Sequence, residues 1–171
     1  MPDNFSSAIA VLLQDEGGNY VPEDHGRGPS KWGITFKTAQ AYGFVKSPAE
    51  IADLTREQAT TFYYVYFWNR ECLDLINDLT IATKALDLSV NEGPETTIQF
   101  LQQAVNALTE MPTLAVDGIL GPHTAQAVNA LNPQALLQAL RERAEEHYRR
   151  IVAADPSEEP NLAGWLARLD S

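Results

Sequence analysis

The chain has 171 residues, a net charge of −11 and 44% apolar residues, enough for a real core in one domain or one domain with a small appended lobe. Its acidity argues against nucleic acid as a partner, because neutralising phosphates needs basic clusters. A single cysteine, Cys72, excludes a disulfide framework, and no Cys/His spacing suits zinc, so no metal or other cofactor is expected. The run Ala8 to Leu13 is too short for a secretory leader, and no stretch approaches the ~20 apolar residues of a membrane span. The expectation is a protein made in the cytoplasm without a signal peptide, with no membrane insertion.

A first helix is expected from Asn4 to Asp15, with Asp3 or Asn4 as N-cap. Phe5, Ile9, Leu12, Leu13 and Glu16 fall at i, i+4, i+7, i+8 and i+11. At about 100° per residue this puts Glu16 within about 20° of Phe5, on the apolar face. A carboxyl there is expected to be partly desolvated and to stay protonated near neutral pH. Gly17 or Gly18 can close the helix in the left-handed conformation, and the negative end of the helix dipole further disfavours ionisation. Both effects suit a general acid, against the plainer reading of a surface Glu at a helix end.

Residues 19 to 34 read as an irregular or short hairpin segment, the only plausible β-structure in the chain. This stretch holds Glu23, Asp24, His25, Arg27 and Ser30, so it can carry a second carboxylate opposite Glu16. Two carboxylates of unequal pKa are what cleavage of a glycosidic bond needs. Further on, Thr35 caps a short helix to Tyr42, and Thr55 to Gln58 is a capping box opening a helix to about Arg70. That helix is crowded with Phe62, Tyr63, Tyr64, Tyr66, Phe67 and Trp68. Plain packing explains most of them; an exposed ring could instead stack on a sugar.

Leu79 to Glu92 reads as a central buried helix with Asp87 and Asn91 on one stripe, as either a satisfied hydrogen-bond pair or a contributor to the substrate site. Gly93-Pro94 ends it and starts an amphipathic helix bearing Ile98, Leu101, Val105 and Leu108. Thr113 to Val116 leads into Asp117-Gly118-Ile119-Leu120-Gly121-Pro122, and Pro122 starts a helix to about Leu131. A long helix runs from Pro133 to Ala154. Asp155 to Pro160 reads as an acidic linker, with Asn161 capping a last short helix.

Glu16-Gly17-Gly18 with Tyr20, then Ser30-Lys31-Trp32-Gly33-Ile34-Thr35, resembles glycoside hydrolase family 108, the phage-type N-acetylmuramidases, whose pattern is E-G-G-Y, a loop, and T-N-W-G-I-T. The resemblance continues through Tyr63 to Trp68, through Leu86-Asp87 with Asn91-Glu92-Gly93, and through Asp117 to Thr124, which is similar to a peptidoglycan-binding segment. Arg143 to Tyr148 and Gly164-Trp165 with Arg168 match the family's ending. The chain departs from the pattern where Asn19 precedes Tyr20 and where Ser30 replaces a Thr; the loop Asp of the family then falls on Asp24 or on His25, and Glu23 is an alternative second acid.

What the resemblance implies is a mainly α, lysozyme-like fold with a small β-hairpin or irregular segment at the active site. Residues 1–95 would form the muramidase part and 96–171 a helical C-terminal part with the peptidoglycan-binding-like segment, packed as one domain. Glu16, Asp24 and Ser30 are the expected catalytic residues; Tyr20, His25, Trp32, Tyr63, Trp68 and Asn91 are expected to bind substrate. The partner would be the glycan strands of peptidoglycan, met by a monomer delivered to the wall by a holin or secretion machinery, or carried on a virion. A lytic transglycosylase, needing one Glu and no second carboxylate, and a non-catalytic wall-binding module are the rival readings.

Overall fold

The computed structural model describes residues 3–24, 26–110 and 114–170. His25 and Thr113, each part of an expectation above, lie outside them. The described residues are mainly helical with one small antiparallel pair of strands, as expected. The chain divides into two compact units, 1–74 and 75–171.

In the first unit, helix α1 (Asp3–Glu16) buries Phe5, Ala8, Ile9, Leu12 and Leu13, the face read from the sequence. Gly17 ends it at φ +66° and donates its N–H to the Leu13 carbonyl at 3.3 Å, an αL stop that a residue with a Cβ adopts only at a cost. Strands β1 (Ser30–Lys31) and β2 (Ile34–Thr35) pair antiparallel, with Ser30 opposite Thr35 and Lys31 opposite Ile34. Thr35 then caps α2 (Phe36–Ala41), its hydroxyl accepting from the Thr38 N–H at 3.2 Å. Helix α3 (Ala49–Ala52) is a single turn. Helix α4 (Arg56–Tyr63) opens with both halves of a capping box between Thr55 and Gln58.

The helix expected to run to Arg70 does not stay α-helical. From Tyr64 to Trp68 it widens into a π-turn, with the Asn69 N–H on the Tyr64 carbonyl at 2.8 Å. The extra residue re-phases a segment that has aromatic side chains on every face. Phe62, Tyr63, Phe67 and Trp68 go into the core, while Val65 is left exposed. Phe5 of α1 meets the rings of Tyr64 and Trp68 edge-on, at centroid distances of 5.0 and 5.4 Å.

In the second unit, α5 (Leu79–Glu92) is the buried helix anticipated from its composition, capped by Asp78. Gly93 (φ +88°) and Pro94 turn the chain into α6 (Pro94–Leu108). Helices α7 (Pro122–Ala130) and α8 (Pro133–Ala154) each begin at the proline that marks them in the sequence. Helices α5, α6 and α8 pack against one another, and α9 (Glu159–Asp170) packs on α8. The expected linker after Ala154 is instead structured. Asp155 caps a 3-10 turn (Pro156–Glu158) that runs into α9, so Asn161 sits inside that helix, bonded to Glu158, rather than at its cap. Proline is tolerated in a first turn, where no N–H is needed, and so does not by itself mark a linker. No helix among the described residues is long and apolar enough to cross a membrane.

The loop Asp117–Gly121 owes its shape to a buried amide. Gln102 of α6, 1% exposed, donates to the Asp117 carboxylate (2.7 Å) and to the Ile119 carbonyl (3.1 Å), and accepts the Gly118 N–H (2.9 Å). The hydrogen bond from Gln102, helped by the Ile119 N–H, holds the exposed Asp117 carboxyl below its usual range. Gly118 is at φ +74°, and a Cβ there would stand 2.6 Å from Glu95 Cγ. The Asp-Gly of this motif is therefore built into the fold of the unit. Gln102→Leu should strip three partners at once and cost about 2–3 kcal/mol. Thermal melting should show a fall of roughly 5–10 °C; an unchanged midpoint would contradict this account.

Candidate active site

Glu16, Gly17 and Gly18 have three different tasks. Gly17 stops α1, which leaves Glu16 as its last residue, half-buried, at the end of the apolar face. The carboxyl lies directly on the β1–β2 turn. A Cβ at Gly33 would stand 2.8 Å from Cγ, Cδ and Oε2 of Glu16, so only a glycine leaves room for the acid in this position. Gly18 does the same for an indole: a Cβ there would stand 2.6 Å from Cη2 and 2.7 Å from Cζ2 of Trp32.

The turn itself is Trp32-Gly33, two residues at φ +57° and +74° between paired strands, the signature of a type I′ hairpin. Glycine suits that conformation; a tryptophan does not, and a bulky residue at positive φ costs about 1–3 kcal/mol. Three contacts hold it. The Trp32 ring is seated against Gly18, its Nε1–H donates to the Leu54 carbonyl at 3.1 Å, and its own carbonyl accepts the Tyr63 hydroxyl at 2.8 Å. Beside it, Lys31 reaches the Ala52 carbonyl with Nζ at 2.7 Å, anchoring the strand to the end of α3.

Upstream of β1, residues 21–24 and 26–30 are bonded to one another. Val21 and Ser30 exchange both backbone hydrogen bonds at 2.9 Å, the Asp24 N–H reaches the Gly28 carbonyl, and the Arg27 N–H reaches the Asp24 carbonyl. Phe36 and Lys37 donate to Pro29 and Arg27, which pins the segment to the start of α2. Asp24 thus sits in a hydrogen-bonded loop, partly exposed, with the Arg27 guanidinium 3.8 Å from its carboxylate. Glu23 is exposed, and its carboxylate accepts the Gly26 N–H at 2.9 Å, a turn-stabilising task. Ser30 is buried at 6%, and Tyr20 is 44% exposed.

Glu16, Trp32 and Ser30 therefore gather around one hairpin, with Asp24 in the loop that leads into it. Tyr63, the last residue of α4, and Trp68, the last of the π-turn, are each 1% exposed and packed in the core rather than presented as exposed stacking rings. Asn91 belongs to the second unit, where its Nδ2–H₂ donates to the Asp87 backbone carbonyl at 2.7 Å and its Oδ1 accepts from Arg168. The expected Asp87–Asn91 pair is thus present, within a network that also holds Lys84 on Asp87 and on the Arg168 carbonyl. Next to it, burial raises the Glu92 carboxyl above its usual range, opposed by His147 at 3.4 Å. The backbone acceptors at Leu54 and Ala52 were not singled out from sequence, and Gly18 and Gly33 were read there as a helix stop and a motif position, not as the close-approach sites they are.

Residues 9–93 match the model of the family Glycosyl hydrolase 108, and residues 96–170 match that of the Predicted Peptidoglycan domain. The two matches meet at the Gly93-Pro94 junction between α5 and α6. Among solved structures, the chain is similar to SagA of Brucella abortus, with 23% identity and a TM-score of 0.74 over 99% of this chain and 95% of that one, a likeness of fold. No curated protein matches the chain. With the two models matched in succession, the chain belongs to glycosyl hydrolase family 108 and is a glycoside hydrolase of peptidoglycan.

Proposed function

We propose that the protein is a lysozyme-type N-acetylmuramidase that hydrolyses the β-1,4 bond between N-acetylmuramic acid and N-acetylglucosamine. The observation that carries this reading is the Glu16 carboxyl, set at the last residue of α1 and covered by Gly33. A carboxyl at the last residue of a helix, seated against the hairpin turn, is placed to act as a general acid. Glu16 protonates the leaving oxygen. Asp24 activates water or stabilises the oxocarbenium charge, and Ser30 helps to hold that water. Tyr20, His25, Trp32 and Asn91 keep their substrate roles by resemblance. Residues 1–95 form the catalytic part and 96–171 the wall-binding part, in a monomer that a holin, a secretion system or a virion brings to the wall, as for a phage endolysin.

The second acid is the point where a lytic transglycosylase differs, since it needs none. Turnover of purified peptidoglycan by Asp24→Asn should fall by about 10²–10⁴. Glu23→Gln should stay within a few-fold of wild type, because an amide oxygen still accepts the Gly26 N–H. Full activity of Asp24→Asn, with anhydro-sugar products, would replace hydrolysis by transglycosylation.

A further inference from the structure

A type I′ turn has a near neighbour, type II′, in which the first central residue keeps its positive φ and the second does not. The two interconvert by a flip of the central peptide. In this hairpin that peptide joins Trp32 to Gly33, and its carbonyl is the acceptor of the Tyr63 hydroxyl at 2.8 Å. The indole contacts to Gly18 and Leu54 hold the Trp32 side chain and do not involve the central peptide. Among the described residues, the Tyr63 hydroxyl is the side-chain group bonded to that peptide, and it sets its direction. Gly33, whose φ would change sign in the flip, is the residue that covers the Glu16 carboxyl.

We infer that Tyr63 is a positioning residue for the general acid: its buried hydroxyl locks the Trp32–Gly33 peptide in the orientation that seats Gly33 on the Glu16 carboxyl. This rests on Glu16 being the acid, as proposed above. Tyr63 touches no substrate, being 1% exposed, and acts through the turn. A phenol is the group that can do this from the core: the ring packs with Phe62 and Phe67 at 5.6 and 5.7 Å, and only its hydroxyl reaches the hairpin.

The test compares Tyr63→Phe, Glu16→Gln and Leu73→Val on soluble, uncrosslinked glycan strands, with kcat and KM measured across pH. Tyr63→Phe keeps the ring and its packing, so it folds. Its kcat should fall about 10- to 100-fold with KM within about twofold. The loss should persist as a kcat effect at every pH, because the turn displaces the acid and leaves the substrate contacts in place. Leu73→Val removes buried volume at a residue outside the hairpin and leaves the Tyr63 hydroxyl in place, so it reproduces a loss of stability alone; its kcat should match wild type. If Tyr63→Phe behaves like Leu73→Val while Glu16→Gln is inactive, Tyr63 is a packing residue and the inference is wrong. Activity retained by Glu16→Gln would overturn the general-acid reading, and the inference with it.

Discussion

Glu16→Gln is expected to fold as wild type and to lose about 10³-fold or more of the activity on peptidoglycan. The amide keeps the size of the carboxyl, so the contact with Gly33 and the end of α1 are preserved. What it lacks is a proton that it can give to a departing sugar oxygen. The measurement is turnover of purified peptidoglycan beside a thermal melt. A melting temperature within a few degrees of wild type together with near-complete inactivity places the loss in the chemistry. Activity within tenfold of wild type would remove Glu16 from the reaction.

Gly33→Ala should be nearly as damaging, for a different reason. The new methyl would stand 2.8 Å from Glu16 Cγ, Cδ and Oε2, where no heavy atom can stay. Backbone relief is expensive, because Trp32 and Lys31 tie the turn to Leu54 and Ala52. The Glu16 side chain is the flexible partner, so the carboxyl swings away and the fold survives. Alanine at φ +74° adds about 1–2 kcal/mol of strain. The expected result is a modest drop in melting temperature and a fall in turnover of about 10²-fold, the scale on which misplaced catalytic groups lose rate. If Gly33→Ala kept full activity, the carboxyl would not work from the position seen here.

Much of this arrangement can be read from the sequence, and the exceptions have physical causes. The period-3.6 stripe of Phe5, Ile9, Leu12 and Leu13 gives both α1 and the face on which Glu16 ends, because burial alone sets that pattern. Prolines at 94, 122 and 133 mark true helix starts, since each fixes φ where no N–H is needed. The same logic misleads at Pro156 and Pro160, which lie within a 3-10 turn and the first turn of α9. Six aromatics in the stretch from Phe62 to Trp68 do not reveal a π-turn, because hydrogen-bond register leaves no trace in composition. The burial of Tyr63 and Trp68 is therefore not legible in that composition. A positive φ at Trp32 is equally invisible locally; it is imposed by contacts with residues 14, 22 and 31 positions away.

The central claim is that Glu16 drives hydrolysis of the muramic-acid bond. Mass spectrometry of soluble fragments from purified peptidoglycan, digested by wild type and by Glu16→Gln, tests it most directly. The account predicts wild-type fragments that end in reducing N-acetylmuramic acid, and none from the variant. Fragments ending in anhydro sugars, reducing N-acetylglucosamine ends, or equal yields from both proteins would contradict it.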